Sequence, residues 1–175
     1  MILTGTEIER EVHNGNIIID PFRESQINPN SYNFRLGKKI KFYNEKVLDP
    51  KKKQSVTEIE IDSNGYILKP GMIYLGHTVE IMGSNNYVPI IRGRSSTARL
   101  GLFVHITADI IDIGSVNQWT LQLYAVQPVK IYPDTEVGQV TFWKVFGDVD
   151  LYKGKYQGSM GPCESFIYRD FEKEK

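Results

Sequence analysis

Residues 92 to 112 read RGRSSTARLGLFVHITADIID, and the side chains in the first half of that stretch suit a chain of phosphates. Arg94 and Arg99 carry planar guanidinium forks that bind phosphate oxygens through charge-assisted hydrogen bonds. Ser95 and Ser96 add hydroxyl donors, with Thr97 and Ala98 completing the turn. A helical turn opening at Ser95 or Ser96 and stopped by Gly101 would direct its unpaired backbone N–H groups at the same anion. Such a set fits a di- or triphosphate. The other use of an R-S-S-x-x-R cluster is to pair its arginines with carboxylates between strands or subunits.

Asp112 ends the apolar run ITADII just ahead of Gly114. At that position a carboxylate can orient a water or hold a sugar hydroxyl, although Asp before Gly is also ordinary turn chemistry. His105 lies between Val104 and Ile106 and fits a core or interface position better than that of a catalytic base.

Two familiar nucleotide chemistries do not match. Zinc-dependent nucleobase deamination needs H-x-E and a later P-C-x-x-C. Here Phe166 stands where the second cysteine would follow Pro162-Cys163, and none of His13, His77 and His105 is followed two residues on by Glu. No zinc chemistry of that kind is expected. A Walker loop, G-x-x-x-x-G-K-[ST], is absent as well.

Positioning these groups requires a folded core, and 175 residues with 41% apolar content supply one. A single domain over residues 1–175 is expected, with about 152–175 forming a tail. The balance of 21 Lys+Arg against 21 Asp+Glu argues against a general binder of DNA or RNA. The Lys51 to Lys53 run reads as a solvated loop. The lone Cys163 has no partner for an intrachain disulfide, which favours a reducing compartment and hence the cytoplasm. No stretch approaches the roughly 20 apolar residues of a membrane helix.

The N-terminus reads as a helix, with Thr4 and Glu7 as a capping box, Ile8 and Val12 on one face and Asn14-Gly15 as the stop. Beyond it the apolar period becomes two. TEIEIDSNGYIL predicts a hairpin turning at Asn64-Gly65, and MIYLGHTVEIM, YVPIIRG, LFVHITADIID, QWTLQLYAV, VKIY and VGQVTFWKVF predict further short strands. So many strands with few helices predict a mainly β sandwich or barrel. The Gly-rich end, YKGKYQGSMGPCESFIYRDFEKEK, is expected to be a tail that orders against a ligand or a neighbouring subunit, or else a frayed terminus.

RSSTARLGLFVHITADIID, followed by WTLQLY, IYPDTEVGQV and YKGKYQG, closely resembles the dCTP deaminase family of the dUTPase-like superfamily. INPNSYNFRLG is similar to that family's N-terminal strand. The resemblance implies a distorted antiparallel β-barrel with an N-terminal helix and a short helix at the phosphate site. It also implies a homotrimer with active sites shared between subunits. On the same ground the activity would be zinc-independent hydrolysis of dCTP to dUTP and ammonia. Arg94, Ser95, Ser96 and Arg99 would hold the triphosphate with its Mg2+, and the backbone around Ala108 would position a water. Asp112 would meet the deoxyribose 3′-hydroxyl, and Thr120 and Leu121 would border the base. Gln139, Tyr152 and Lys155 would line the nucleotide. The ligands implied are dCTP or dUTP, with dTTP as an inhibitor.

Two residues depart from the family pattern. Gln122 stands where these deaminases carry the Glu that takes a proton from the attacking water, and a neutral amide cannot do that. Ser159 stands where a longer polar side chain is common. Gln122 leaves three readings open: a dUTP or dCTP diphosphatase that needs no such base, with Asp112 activating water against the α-phosphate; a deaminase whose carboxylate has been exchanged for the isosteric amide; and a nucleotide-binding trimer without catalysis.

Overall fold

The computed structural model describes residues 1–172. Helix α1, Gly5–His13, begins where the Thr4 hydroxyl accepts the Glu7 N–H at 3.4 Å and ends at Asn14. Gly15, with φ +75°, then makes a turn that a side chain would strain. The strands β1 (Ile17–Asp20), β2 (Ile27–Asn28), β3 (Ser31–Arg35), β4 (Lys39–Tyr43), β5 (Val56–Glu60), β6 (Tyr66–Leu68), β7 (Tyr74–Ser84) and β8 (Tyr87–Gly93) follow. Helix α2 (Ser95–Arg99), strands β9 (Leu102–Phe103), β10 (Asn117–Ala125), β11 (Val129–Ile131) and β12 (Glu136–Lys144), and helix α3 (Tyr168–Glu172) complete the order.

All the strand pairs are antiparallel. One sheet runs β5-β4-β7-β10-β9 with β1 also on β7, a second runs β2-β3-β12-β8, and β11 pairs with β6. The sheets wrap one core in which Tyr32, Phe34, Ile40, Met82, Leu121 and Phe142 are fully buried. The architecture is mainly β, as the alternating runs predict, with a single bridge from Leu36 to Thr78 linking the end of β3 to β7.

Two strand expectations are corrected. The Asn64-Gly65 turn forms, with the Gly65 N–H on the Asp62 carbonyl at 3.0 Å and the Asn64 N–H on the Asp62 carboxylate at 2.8 Å. It does not close a hairpin: β5 pairs with β4, and β6 leaves to pair with β11, where Leu68 and Ile131 are buried. LFVHITADIID is likewise not one strand. Only Leu102–Phe103 pairs with β10; after Val104 the chain loops back along β8, giving its Asp109 carbonyl to the Ile91 N–H and bridging Ile110 to Ile90. Its apolar residues are divided accordingly, Leu102 and Val104 buried and Ile106 and Ile110 exposed.

A bulge in β7 sets the face that β10 presents. Thr78, Val79 and Glu80 together stand opposite Trp119, whose N–H goes to the Thr78 hydroxyl at 3.0 Å, while the Gln118 amide caps the Val79 carbonyl at 3.0 Å. The same bulge turns Glu80 inward to Arg35, where Oε1 accepts the Arg35 Nε–H at 2.7 Å and Oε2 the Arg35 N–H at 2.9 Å.

Candidate active site

Along β10 burial alternates strictly from Asn117 to Ala125. Trp119, Leu121 and Leu123 enter the core, so Gln118, Thr120, Gln122 and Tyr124 share the opposite face. That face floors a cavity of about 890 Å3. One wall is the loop carrying His105, Ala108, Ile111 and Asp112; another comes from Tyr43, Leu48, Met72 and Ile73. The tail roofs it with Tyr152, Tyr156, Ser159 and Cys163.

The tail is seated on β10 by backbone groups meeting side chains. The Ser159 N–H goes to Asn117 Oδ1 at 3.1 Å, Gly161 N–H to Gln118 Oε1 at 2.8 Å and Cys163 N–H to the Thr120 hydroxyl at 3.0 Å. Tyr43 accepts the Ser165 N–H at 2.9 Å, and Lys41 pairs with Glu164 at 2.8 Å. That lysine holds the Glu164 carboxyl below its ordinary range. The tail also closes on itself, with the Tyr156 and Phe166 rings stacked at 5.4 Å and Arg169 over Phe166 at 4.1 Å. The expected tail is thus docked over the cavity; residues 173–175 of that expectation lie outside the described residues. Burial raises the Cys163 thiol above its ordinary value, leaving a protonated wall residue rather than a nucleophile.

His105 Nε2 lies 2.6 Å from the Ala108 carbonyl oxygen. Burial pushes its ring below the usual imidazole value, so near neutral pH a neutral ring donates its one N–H to that carbonyl. It holds the loop instead of serving as a base, and one carbonyl lone pair is left for a water.

The residues expected at a nucleotide site fall into two groups within one chain. Ala108, Asp112, Thr120, Gln122 and Tyr152 line the cavity. Leu121 does not: its side chain is fully buried on the other face of β10. Arg94, Ser95, Ser96, Thr97, Ala98 and Arg99 stand on or beside α2, outside the cavity lining, with both serines and Arg99 exposed. Arg94 itself, not a serine, is the N-cap and makes no side-chain cap bond. Gln139 sits on β12, its Oε1 accepting the Ser31 hydroxyl at 3.1 Å. Lys155 is not among the residues lining the main cavity; it pairs with Asp170 at 2.6 Å and borders a smaller cavity of about 360 Å3. Ser159 is occupied in docking the tail.

Several cavity residues are absent from the sequence expectations: Tyr43, Gln118, Tyr124 and Tyr156. A signal existed for two of them. Counting by twos from Gln122 along QWTLQLYA reaches Gln118 and Tyr124, and the same count puts Leu121 on the far face.

The family model for dCTP deaminase-like proteins matches residues 2–145. The chain belongs to the dCTP deaminase-like family. That match ends before the tail, but full-length relatives continue through it. A protein of Clostridium beijerinckii named "dCTP deaminase, dUMP-forming" is 47% identical over 174 residues, covering 99% of this chain and 100% of its own. Proteins of the same name from Hathewaya histolytica and Leptospira biflexa are 44% and 43% identical, each covering at least 98% of this chain and all of their own. The crystal structure of 2′-deoxycytidine 5′-triphosphate deaminase from Agrobacterium tumefaciens superposes with a TM-score of 0.64 at 19% identity over 81% of this chain, a likeness of fold. The present chain spans 47% of that protein's length.

Among the described residues of this dCTP deaminase-like chain, no group of three or more His, Cys, Asp and Glu side chains is gathered to hold a metal ion. None of its described helices is long and apolar enough to cross a membrane.

Proposed function

We propose that the chain binds dCTP over β10 and hydrolyses it to dUMP, ammonia and pyrophosphate, slowly at the deaminating step. The observation that carries this reading is the cavity face of β10, with Thr120 and Gln122 beneath a docked tail, in a chain collinear from end to end with relatives named as dUMP-forming dCTP deaminases. Their name supports dUMP, rather than the expected dUTP, as the product proposed here.

In the deaminating step a water oxygen bonds to C4 of cytosine, one of its protons ends on N3 and the other on N4, and the C4–N4 bond breaks as N4 departs as ammonia. The base sits against the Thr120–Gln122 segment and Asp112 takes the 3′-hydroxyl. The free lone pair of the Ala108 carbonyl orients the water. The Gln122 amide can orient that water or the exocyclic amine but cannot accept a proton, which costs roughly 10²–10⁴-fold in rate. A second water then displaces pyrophosphate at the α-phosphorus, a step in which Asp112 is the available carboxylate and side chain 122 has no part.

The residues of α2 proposed to bind phosphate stand outside their own chain's cavity, so the triphosphate is held by α2 of a neighbouring copy in a homotrimer with shared sites. The exposed apolar side chains Leu100, Phe103 and Val126 beside α2 support such a contact. Mg2+ enters on the triphosphate, and dTTP competes for the same cavity. The test is incubation with dCTP and Mg2+, measuring ammonia, dUMP and pyrophosphate separately. Slow release of all three, accelerated roughly 10²-fold or more in the Gln122→Glu protein, is expected. A folded pair of proteins, neither of which yields product, would overturn the reading.

A further inference from the structure

Three side chains of β10 hold the tail, and they differ in what the tail leaves them. Asn117 and Gln118 have both ends engaged: Asn117 Nδ2 donates to the Ser115 hydroxyl at 2.7 Å and its Oδ1 accepts the Ser159 N–H at 3.1 Å, while Gln118 Nε2 is on the Val79 carbonyl at 3.0 Å and its Oε1 on the Gly161 N–H at 2.8 Å. Thr120 is engaged at its oxygen alone, which accepts the Cys163 N–H at 3.0 Å. A hydroxyl is one donor with two acceptor sites, and no acceptor among the described residues takes the Thr120 hydrogen. With the tail amide against its oxygen, the O–H is left to point into the cavity that Thr120 lines.

We infer that the Thr120 hydroxyl is a specificity-determining group whose polarity the tail sets: held at its oxygen by the Cys163 N–H, it donates to O2 of the pyrimidine, so that tail docking and base binding strengthen one another. The inference rests on the nucleotide reading given above and deepens it at the base. The choice of O2 follows from the order of groups along β10. Asp112 stands at the start of the strand: its carbonyl accepts the Ser115 N–H at 3.0 Å in the turn leading into β10, and Gly114 in that turn reaches the Ser84 carbonyl at 2.8 Å, just past the Met82 that pairs with Asn117. Gln122 lies farther along, opposite Leu75, and Thr120 falls between, about 7 Å along the strand from Gln122. In cytosine the carbon bearing O2 adjoins the nitrogen that carries the sugar, and the carbon bearing the amine lies across the ring from it. A nucleotide with its 3′-hydroxyl at Asp112 and C4 near Gln122 therefore lays its O2 edge over Thr120.

Without the tail, a threonine hydroxyl donates or accepts with equal ease and selects little. With Cys163 on its oxygen it faces the base as a donor, which suits a carbonyl and opposes a base that presents N–H at the same place. The two bonds also reinforce each other: an O–H that donates to O2 leaves its oxygen the better acceptor for the Cys163 N–H. By reciprocity the tail tightens the base by the same factor as the base tightens the tail.

The experiment is calorimetric titration of the full chain, with Mg2+, using the α,β-imido analogue of dCTP and its 2-thio counterpart, in which sulfur, a weak acceptor, replaces O2. It is repeated for Thr120→Val, which keeps the shape without the hydroxyl, and for Thr120→Ser, which keeps the hydroxyl. The unaltered chain and Thr120→Ser should bind the oxygen compound about fivefold or more tightly than the sulfur compound, and in Thr120→Val that preference should shrink to within about twofold. A hydroxyl that only seats the tail would weaken both compounds by one factor on its removal and leave their ratio unchanged. An unchanged ratio in Thr120→Val therefore overturns the inference while the dCTP reading stands. A second measurement needs no variant: hydrogen exchange at the Cys163 amide of the unaltered chain should slow more at saturation with the oxygen compound than with the sulfur compound, and equal slowing overturns the inference. That measurement decides the matter should Thr120→Val fail to fold, which thermal melting shows, or fail to bind. If the unaltered chain binds neither compound, the nucleotide reading fails and takes the inference with it.

Discussion

Arg94 Nη1 lies 2.8 Å from Glu136 Oε2, and the same nitrogen donates to the Glu136 carbonyl at 3.2 Å. Asn33 Nδ2 donates to that carboxylate oxygen at 2.8 Å from the next strand, so the partner of Arg94 is itself held in place. The arginine read as a phosphate ligand therefore starts with its charge already answered, and an incoming triphosphate must compete with Glu136. An ion pair this exposed contributes at most about 1 kcal/mol. Glu136→Gln, which keeps the Asn33 contact possible, should tighten dCTP binding by about two- to fivefold at low salt, with the gain shrinking as salt rises. Titration at two ionic strengths checks it; unchanged affinity at both would mean that Arg94 does not meet the phosphates.

The tail is latched at its far side by Lys41 and Glu164, a pair with side-chain exposures of only 18% and 20%. Glu164→Gln should loosen docking and speed hydrogen exchange at the Gly161, Cys163 and Ser165 amides by roughly threefold to tenfold, while β7 and the core of β10 stay protected. The pH dependence has a definite sign. The Glu164 carboxyl is held below its ordinary value by Lys41, so its contribution is complete above the ordinary carboxylate pKa, about 4.3, and is lost as pH falls through the lowered one. Protection of the tail amides in the unaltered chain should therefore persist at neutral pH and fall away in acid, and Glu164→Gln should abolish that dependence.

Burial makes the Arg35–Glu80 pair a different case, with exposures of 3% and 0%. Removing one partner strands the other charge inside the protein. Glu80→Gln is expected to lower unfolding free energy by about 3 kcal/mol, at the low end for broken buried pairs because Asp134 also contacts Arg35. Urea denaturation measures it. A loss below about 1 kcal/mol would show that Asp134 alone suffices.

How much of this was legible depended on the range of the interaction. Thr4 and Glu7 marked α1 because a cap is settled within one helical turn, and the long alternating runs marked β7, β10 and β12 because period two survives any choice of partner. Asn64-Gly65 announced a turn correctly but not its use, since pairing β6 with β11 rather than β5 is decided by residues more than sixty positions away. Family likeness identified Asp112, Thr120 and Gln122 as cavity residues. It could not foresee that Lys155 would engage Asp170, or that Asn117, Gln118 and Thr120 would be occupied by the tail's own backbone. Those contacts join residues more than ten positions apart that carry no shared pattern.

The proposed division of the site between the cavity of one chain and α2 of another yields a test by mixing chains. Arg99→Ala removes a guanidinium proposed to bind phosphate from α2 and leaves the cavity intact; Asp112→Asn alters the cavity and leaves α2 intact. Each variant by itself should lose high-affinity nucleotide binding. If every site joins the cavity of one chain to α2 of the next, a trimer assembled from both variants contains sites in which an unaltered cavity faces an unaltered α2. After denaturation and refolding of an equal mixture, random assembly makes about one site in four of this kind. Titration with the α,β-imido analogue of dCTP should then recover about a quarter of the unaltered binding capacity at the unaltered affinity. A site contained within single chains would recover none, since no chain in the mixture carries both unaltered halves.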